Sequence, residues 1–250
     1  MDPTSSPDPA KLDRAAVFAA LRARLARAET GTVAGAVPLA AAIDRALPAG
    51  GLARATIHEV LAAEPGAAAG FAALVLARTS GPHGGTVFWI AAEPEAWPPG
   101  LARFGLAPAN LVLVQARRPL DGLWAMEECL RCPGVAGAAL SVATPSLDLT
   151  AVRRLQLAAE AGGALGLLLG PDAEAGASAA LTRWRVDALP GAGGGPHDLG
   201  DPRWRIELLR GRGAQAQGWD ATWRESAERL DVEEAEPMPA AKPRRRVGAR

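Results

Sequence analysis

The residues Ala62-Ala63-Glu64-Pro65-Gly66-Ala67-Ala68-Ala69-Gly70-Phe71-Ala72 stand between a predicted strand, Thr56 to Leu61, and a predicted helix, Phe71 to Arg78. A small-residue loop in that position is the setting of a phosphate-binding loop, which uses spaced glycines to bend backbone N–H groups around phosphates. It also uses a lysine on the outer phosphates and a Ser or Thr hydroxyl on magnesium. Here Gly66 and Gly70 are one residue too close, and Phe71-Ala72 stand where Lys-Ser/Thr belongs. Lys11 and Lys242 are the only lysines among 27 basic side chains, so no segment between them can supply the missing cation. A bare helix N-terminus still attracts anions, but the loop reads as a relic.

Other reactive types fare no better. Cys129-Leu130-Arg131-Cys132 has metal or redox spacing, yet His58, His83 and His197 are scattered and offer no second pair of zinc ligands. A redox pair sits at the start of a helix, whereas this one falls at the end of a predicted helix, where the dipole disfavours thiolate. The pair is expected to be two small apolar residues. No Gly-x-Ser-x-Gly elbow occurs. Gln156-Leu157 has the opening of a sliding-clamp peptide, but Ala158-Ala159 replace its bulky anchors in a helical segment, so the match reads as coincidence.

The arginines are more informative. Thr182-Arg183-Trp184-Arg185-Val186 and Pro202-Arg203-Trp204-Arg205-Ile206-Glu207-Leu208 alternate with period two, so the tryptophans point one way and the arginines the other. Arg183, Arg185, Arg203 and Arg205, followed by Arg210 and Arg212, are the candidates for contact with a DNA phosphate backbone. The competing expectation is a solvated sheet face with Asp187 and Glu207 as cross-strand partners, and the shared alternation favours it.

The elements that must hold these residues form a mixed pattern. Residues 1–10 are proline- and serine-rich and read as disordered. Residues 11–34 contain an amphipathic helix, with Leu12, Phe18, Leu21 and Leu25 on one face, and a linker. That face either folds back on its own core or serves as a partner or oligomerisation arm; the spacing fits both equally. From 35 to 231 short apolar strands (Thr56–Leu61, Thr86–Ile90, Leu111–Gln115, Val135–Val142, Leu165–Leu169) alternate with helices (Phe71–Arg78, Leu120–Leu130, Leu147–Ala161), as in a mostly parallel sheet covered on both faces. The two arginine strands read as antiparallel additions, separated by the flexible stretch Pro190 to Pro196. Residues 232–250 run from acidic to basic, ending in Arg244, Arg245, Arg246 and Arg250, and read as a disordered tail that could meet DNA, an acidic partner patch, or solvent alone.

Composition agrees. The chain has 250 residues, 27 basic and 27 acidic side chains, and 49% hydrophobic residues, which excludes a wholly disordered protein and argues against a nucleic-acid coat. Its start lacks the basic and apolar regions of a signal peptide, and its apolar runs are too short to span a bilayer, so a soluble cytoplasmic protein is expected.

Several ordered motifs carry a family resemblance. Leu47-Pro48-Ala49-Gly50, the small-residue loop and Phe88-Trp89-Ile90-Ala91-Ala92-Glu93 follow the order of a RecA-type core. Ile57-His58-Glu59-Val60, the segment Gly100 to Leu106, Leu123-Trp124-Ala125-Met126-Glu127-Glu128-Cys129-Leu130-Arg131, the segment Leu147 to Glu160 and the two arginine strands are similar to the ImuA family, accessory proteins of a bacterial DNA-damage mutagenesis cassette. The resemblance covers roughly residues 35–223.

It implies an α/β fold with a RecA-like P-loop NTPase core, a degenerate phosphate loop, and antiparallel strands appended at the C-terminal side. Glu93 stands where RecA-type ATPases keep the glutamate that activates water, but the strand Val135 to Val142 ends in Leu140-Ser141 without a magnesium-holding aspartate. Glu93 is therefore expected to be structural, capping or pairing at a strand end. No catalytic, cofactor or metal site is expected. The implied function is that of a non-catalytic adaptor in SOS-induced translesion synthesis, found in the cytoplasm and at the nucleoid after damage. Its implied partners are an ImuB-like Y-family protein and RecA, and through the former an error-prone polymerase and the sliding clamp. Direct DNA contact and self-association stay open, and no membrane is implied. The rivals are an ATP-dependent RecA-like enzyme, a DNA-binding accessory factor, and a SulA-like division inhibitor, against which the full-length core counts.

Overall fold

The computed structural model describes residues 35–81, 85–93, 96–143, 147–172, 178–191 and 200–235. Leu12, Phe18, Leu21, Leu25 and the basic group Arg244 to Arg246 lie outside the described residues, as does most of the stretch 190–196.

The apolar runs bounded by turn residues become strands: β3 (Ile57–Ala62), β4 (Thr86–Ala91), β5 (Leu111–Gln115), β6 (Val135–Ser141) and β7 (Leu165–Pro171). They pair in parallel with one another and with β8 (Thr182–Leu189). Beyond β8 the sheet turns antiparallel through β9 (Arg203–Gly211), β10 (Gln217–Arg224) and β11 (Arg229–Glu234). The nine strands lie in the order β11-β10-β9-β8-β3-β7-β6-β4-β5. A separate pair, β1 (Ala36–Val37) with β2 (Leu52–Ala53), brackets the short helix α1 (Ala41–Ala46).

Helices close both faces of the parallel half. α2 (Pro65–Ser80) and α3 (Pro98–Ala102) belong to one side, where Val87, Trp89, Ala139, Leu165 and Leu167 meet Phe71, Leu74 and Leu76. α4 (Pro119–Arg131) and α5 (Leu149–Gly162) cover the other, with Met126, Leu130, Val152 and Leu155 on Ile90, Ala138, Leu140 and Leu168. Strand neighbours split between the two clusters, as a period-two chain buried on both faces must. α4 and α5 converge so closely that a Cβ on Gly162 would stand 2.7 Å from the carbonyl carbon of Arg131.

The antiparallel half has one apolar face. Trp184, Trp204, Trp219 and Trp223 are all buried there, joined to α2 and the segment after α3 through Phe71 and Phe104. Ring centroids are 6.3 Å apart for Phe71–Trp184 and Trp184–Trp219, and 5.5 Å for Phe104–Trp204.

Four expectations change. The helix read as Phe71–Arg78 begins at Pro65, so the supposed loop is mostly helix. Proline suits the first helical position, and the alanines at 67–69 are strong helix formers that outweigh two glycines. Gly70 has a packing role inside the helix, since a Cβ there would meet Phe104 and Trp204 at 3.0 Å. Leu111–Gln115, read as one more buried strand, is an edge strand with Val112 and Leu113 40% and 45% exposed. Of the two strands read as antiparallel additions, β8 joins the parallel array beside β3 and only β9 is antiparallel to its neighbours, while two further strands follow it: β10, with the alternation Trp219-Asp220-Ala221-Thr222-Trp223, and β11. Finally, β11 runs to Glu234, three residues into the segment read as a tail.

Candidate functional site

In an open, mostly parallel sheet, ligands bind outside the carboxyl ends of the strands. Here β3, β4, β6 and β7 end around a cleft of about 370 Å³, floored by the N-terminus of α2. Its lining includes Ala62, Ala63, Gly66, Ala69, Trp89, Ser141 and Gly170, and among the described residues no lining side chain is ionisable. The N-cap of α2 is Glu64, whose side chain makes no capping bond. A carboxylate there occupies the end of the helix that would otherwise favour an anion. Phosphates and magnesium need a cation and a carboxylate held at fixed positions, and the described cleft wall is made of small and apolar residues with the hydroxyl of Ser141.

Glu93 is not in this wall. It is exposed, and it lines a separate groove of about 100 Å³ with Trp89, Ala91, Ala96, Leu113, Val114 and Gln115. No hydrogen bond from its side chain to another described residue occurs, so the expected capping or pairing is not formed among them. Ser141 ends β6 at the cleft, where the resemblance looks for an aspartate.

The arginine strands are braces. Arg183 is buried, and its Nε donates to Glu59 Oε2 at 2.6 Å, while the Ser178 hydroxyl donates to Glu59 Oε1. Arg185 spans Asp172 at 3.1 Å and Glu207 at 3.2 Å. Arg205 pairs with Asp220 on β10, and Arg203 donates to the Pro190 carbonyl at 3.2 Å. Arg210 reaches the carbonyls of Ser178 and Ala180 at 2.6 and 3.1 Å. Arg185–Glu207 is a cross-strand pair of the kind that the alternation predicts. Asp187 faces Arg205 in register, and its carboxyl is held above the usual range by burial and then by Asp172.

β3 and β8 interlock on the opposite face as well. His58 Nε2 lies 2.9 Å from the Ala53 carbonyl, which can only accept, so this nitrogen carries the proton. Nδ1 then accepts from the Thr182 hydroxyl at 2.7 Å, and Thr182 Oγ1 accepts from Trp184 Nε1 at 2.7 Å. Burial keeps His58 neutral, with its pKa lowered to about 4. The two motifs Ile57-His58-Glu59-Val60 and Thr182-Arg183-Trp184-Arg185-Val186 are thus one structural unit. Gln156 is equally structural: its Oε1 accepts from Thr56 Oγ1 at 2.7 Å and from the Ile57 N–H at 3.1 Å, tying α5 to the start of β3.

Cys129 and Cys132 are free thiols at the end of α4, and burial with the neighbouring Cys132 and Glu128 pushes Cys129 up to about 11, away from thiolate chemistry. Composition-based reading missed one surface. Leu120 and Trp124 of α4 are 78% and 64% exposed beside a groove completed by Ala151 and Arg154 of α5. Their spacing of four, offset from buried Gly122 and Met126, carries the signal.

Six strands in parallel array, helices on both faces and a cleft at the carboxyl ends define an α/β protein compatible with a Rossmann- or RecA-like core. Among the described residues, no helix is long and apolar enough to cross a membrane. Comparison of sequences narrows the class. The chain is 39% identical over 194 residues to Protein ImuA from each of two strains of Caulobacter vibrioides, an overlap covering 71% of this chain and 78% of the relatives. It belongs to the ImuA family. No protein-family model matches the chain.

Proposed function

We propose that this chain is a non-catalytic adaptor of SOS-induced DNA-damage tolerance, built on a RecA-like core whose phosphate site has degenerated. It supports error-prone translesion synthesis by binding an ImuB-like Y-family protein and RecA, and reaches the polymerase and sliding clamp through the former. The observation that carries this reading is the strand-end cleft. Its described wall holds no ionisable side chain, and α2 starts at Pro65 and leaves no room for a phosphate-wrapping loop. Family membership supports the mutagenesis setting.

Such a protein acts by presenting surfaces. The N-terminal residues Leu12, Phe18, Leu21 and Leu25 and the basic group Arg244, Arg245 and Arg246 are the proposed partner contacts outside the described residues. Direct DNA contact through the arginine strands draws little support, because Arg183, Arg185 and Arg205 already neutralise Glu59, Asp172, Glu207 and Asp220. The test is a pull-down of the full chain, and of a 1–235 truncation that keeps β11, against purified ImuB-like protein and RecA. Binding by the full chain supports the adaptor, and loss on truncation assigns a contact to the basic end. Failure to bind either protein refutes it.

A further inference from the structure

The cleft at the carboxyl ends of β3, β4, β6 and β7 has the dimensions of a ligand site without the chemistry of a phosphate site. Its volume of about 370 Å³ lies in the range of small-molecule pockets, which are mostly apolar with a few placed polar groups. Trp89, Val142, Leu169 and Pro171 supply apolar walls. Gly66 and Ala69, on the helical wall, leave the space between them unfilled. A Cβ built on Gly66 meets no heavy atom within 4 Å, so the room beside it is not taken up by a neighbour.

The fold leaves polar groups unused at this cleft. Ser141 Oγ makes no hydrogen bond to a described residue. Trp89 is 3% exposed, and its buried Nε1 also lacks a partner among the described residues. A buried donor without an acceptor is costly, and most such groups are paired. The Gly66 N–H lies in the first turn of α2, where the helix supplies no carbonyl for it.

Charge narrows the class of ligand. No described lining side chain is ionisable, so an anion or cation entering the cleft would shed water without gaining a counter-charge. The N-terminus of α2 is the one feature that attracts an anion, and the Glu64 carboxylate at its N-cap opposes that attraction. We infer that the cleft binds an uncharged, largely apolar small molecule carrying a hydrogen-bonding group of its own. The inference rests on the reading of this cleft as a degenerate phosphate site.

The test uses the full chain and two fluorescent probes that share one body: anilinonaphthalene, an uncharged aromatic amine with a single N–H, and its sulfonate. The uncharged probe should bind saturably with a rise in emission, and the sulfonate about tenfold or more weakly. Gly66→Leu and Ala69→Phe add bulk from the helical wall. Each should weaken the uncharged probe about tenfold or more while the thermal unfolding midpoint stays close to that of the unaltered chain. Ser141→Ala should weaken it about threefold, the effect of one neutral hydrogen bond. Leu120→Ser, in the separate groove between α4 and α5, should leave binding unchanged. The inference is overturned if the uncharged probe does not saturate, if the sulfonate binds as tightly, if Gly66→Leu and Ala69→Phe both bind like the unaltered chain, or if Leu120→Ser abolishes binding. It is also overturned if the ImuB-like protein displaces the probe, which would make the cleft a pocket for a partner's side chain. Displacement by ATP with magnesium overturns it together with the degenerate-site reading, whereas failure of the probe to bind leaves that reading intact.

Discussion

The parallel and antiparallel halves of the sheet share one core but spend their polar groups in opposite ways. In the parallel half, where the strand ends form a cleft suited to a ligand, the described wall is apolar or made of small residues. From the junction of β3 and β8 into the antiparallel half, arginines and carboxylates interlock from Glu59 to Asp220, with a tryptophan layer behind them. Among the described residues, ionisable side chains are thus concentrated where strands are held together and are absent from the cleft wall, the distribution on which the proposed adaptor role rests.

That contrast can be broken by mutation. The largest effect is expected at the junction of the halves. Glu59→Ala leaves the buried Arg183 guanidinium without its carboxylate and should cost about 3–5 kcal/mol in urea unfolding, whereas replacing both residues with leucine should recover most of it. A loss below about 1 kcal/mol for the single variant would show the braces to be dispensable.

The pH dependence follows at the same junction. The His58 pKa is lowered from 6.5 to about 4 by burial, so the unfolded chain takes up a proton before the folded chain does. Stability from this residue is fully present above pH 6.5 and is lost as pH falls toward 4, by up to about 3 kcal/mol. Thermal unfolding of the unaltered chain across that window measures it, and a His58→Asn variant should show a shallower slope.

Within the parallel half, Gly162→Ala forces a methyl group against the backbone at the end of α4 and should cost about 1–3 kcal/mol by the same measurement. The smallest effect is expected in the cleft itself. Ser141→Ala should change stability by less than about 0.5 kcal/mol. A larger loss there would mean that the cleft hydroxyl has a structural task and would blur the contrast.

Much of the parallel half was legible because its strands are unbroken apolar runs punctuated by glycine and proline. The Trp184 and Trp204 strands were legible from their alternation, and so was Glu207 as a cross-strand partner of the arginine face, though which arginine it meets was not. What escaped were decisions made at a distance. Arg183 and Glu59 lie 124 residues apart, and nothing local joins them. Leu111–Gln115 has the composition of an interior strand, and only the order of the sheet makes it an edge. Gly66 and Gly70 looked like loop residues because glycine ranks low in helices, yet Pro65 and the surrounding alanines carry the helix through them. The lysine count alone excluded the usual lysine contact to phosphate, whereas the small and apolar residues of the described cleft wall are brought together only by the fold.

The central claim is that the strand-end cleft no longer handles nucleotide and that the protein works through its surfaces. Isothermal titration of the full chain with ATP and magnesium, with phosphate release followed on the same samples, tests it most directly. The account predicts no binding heat beyond dilution and no hydrolysis, both alone and with the ImuB-like protein or RecA variants that do not themselves hydrolyse ATP. Micromolar binding accompanied by turnover would contradict it.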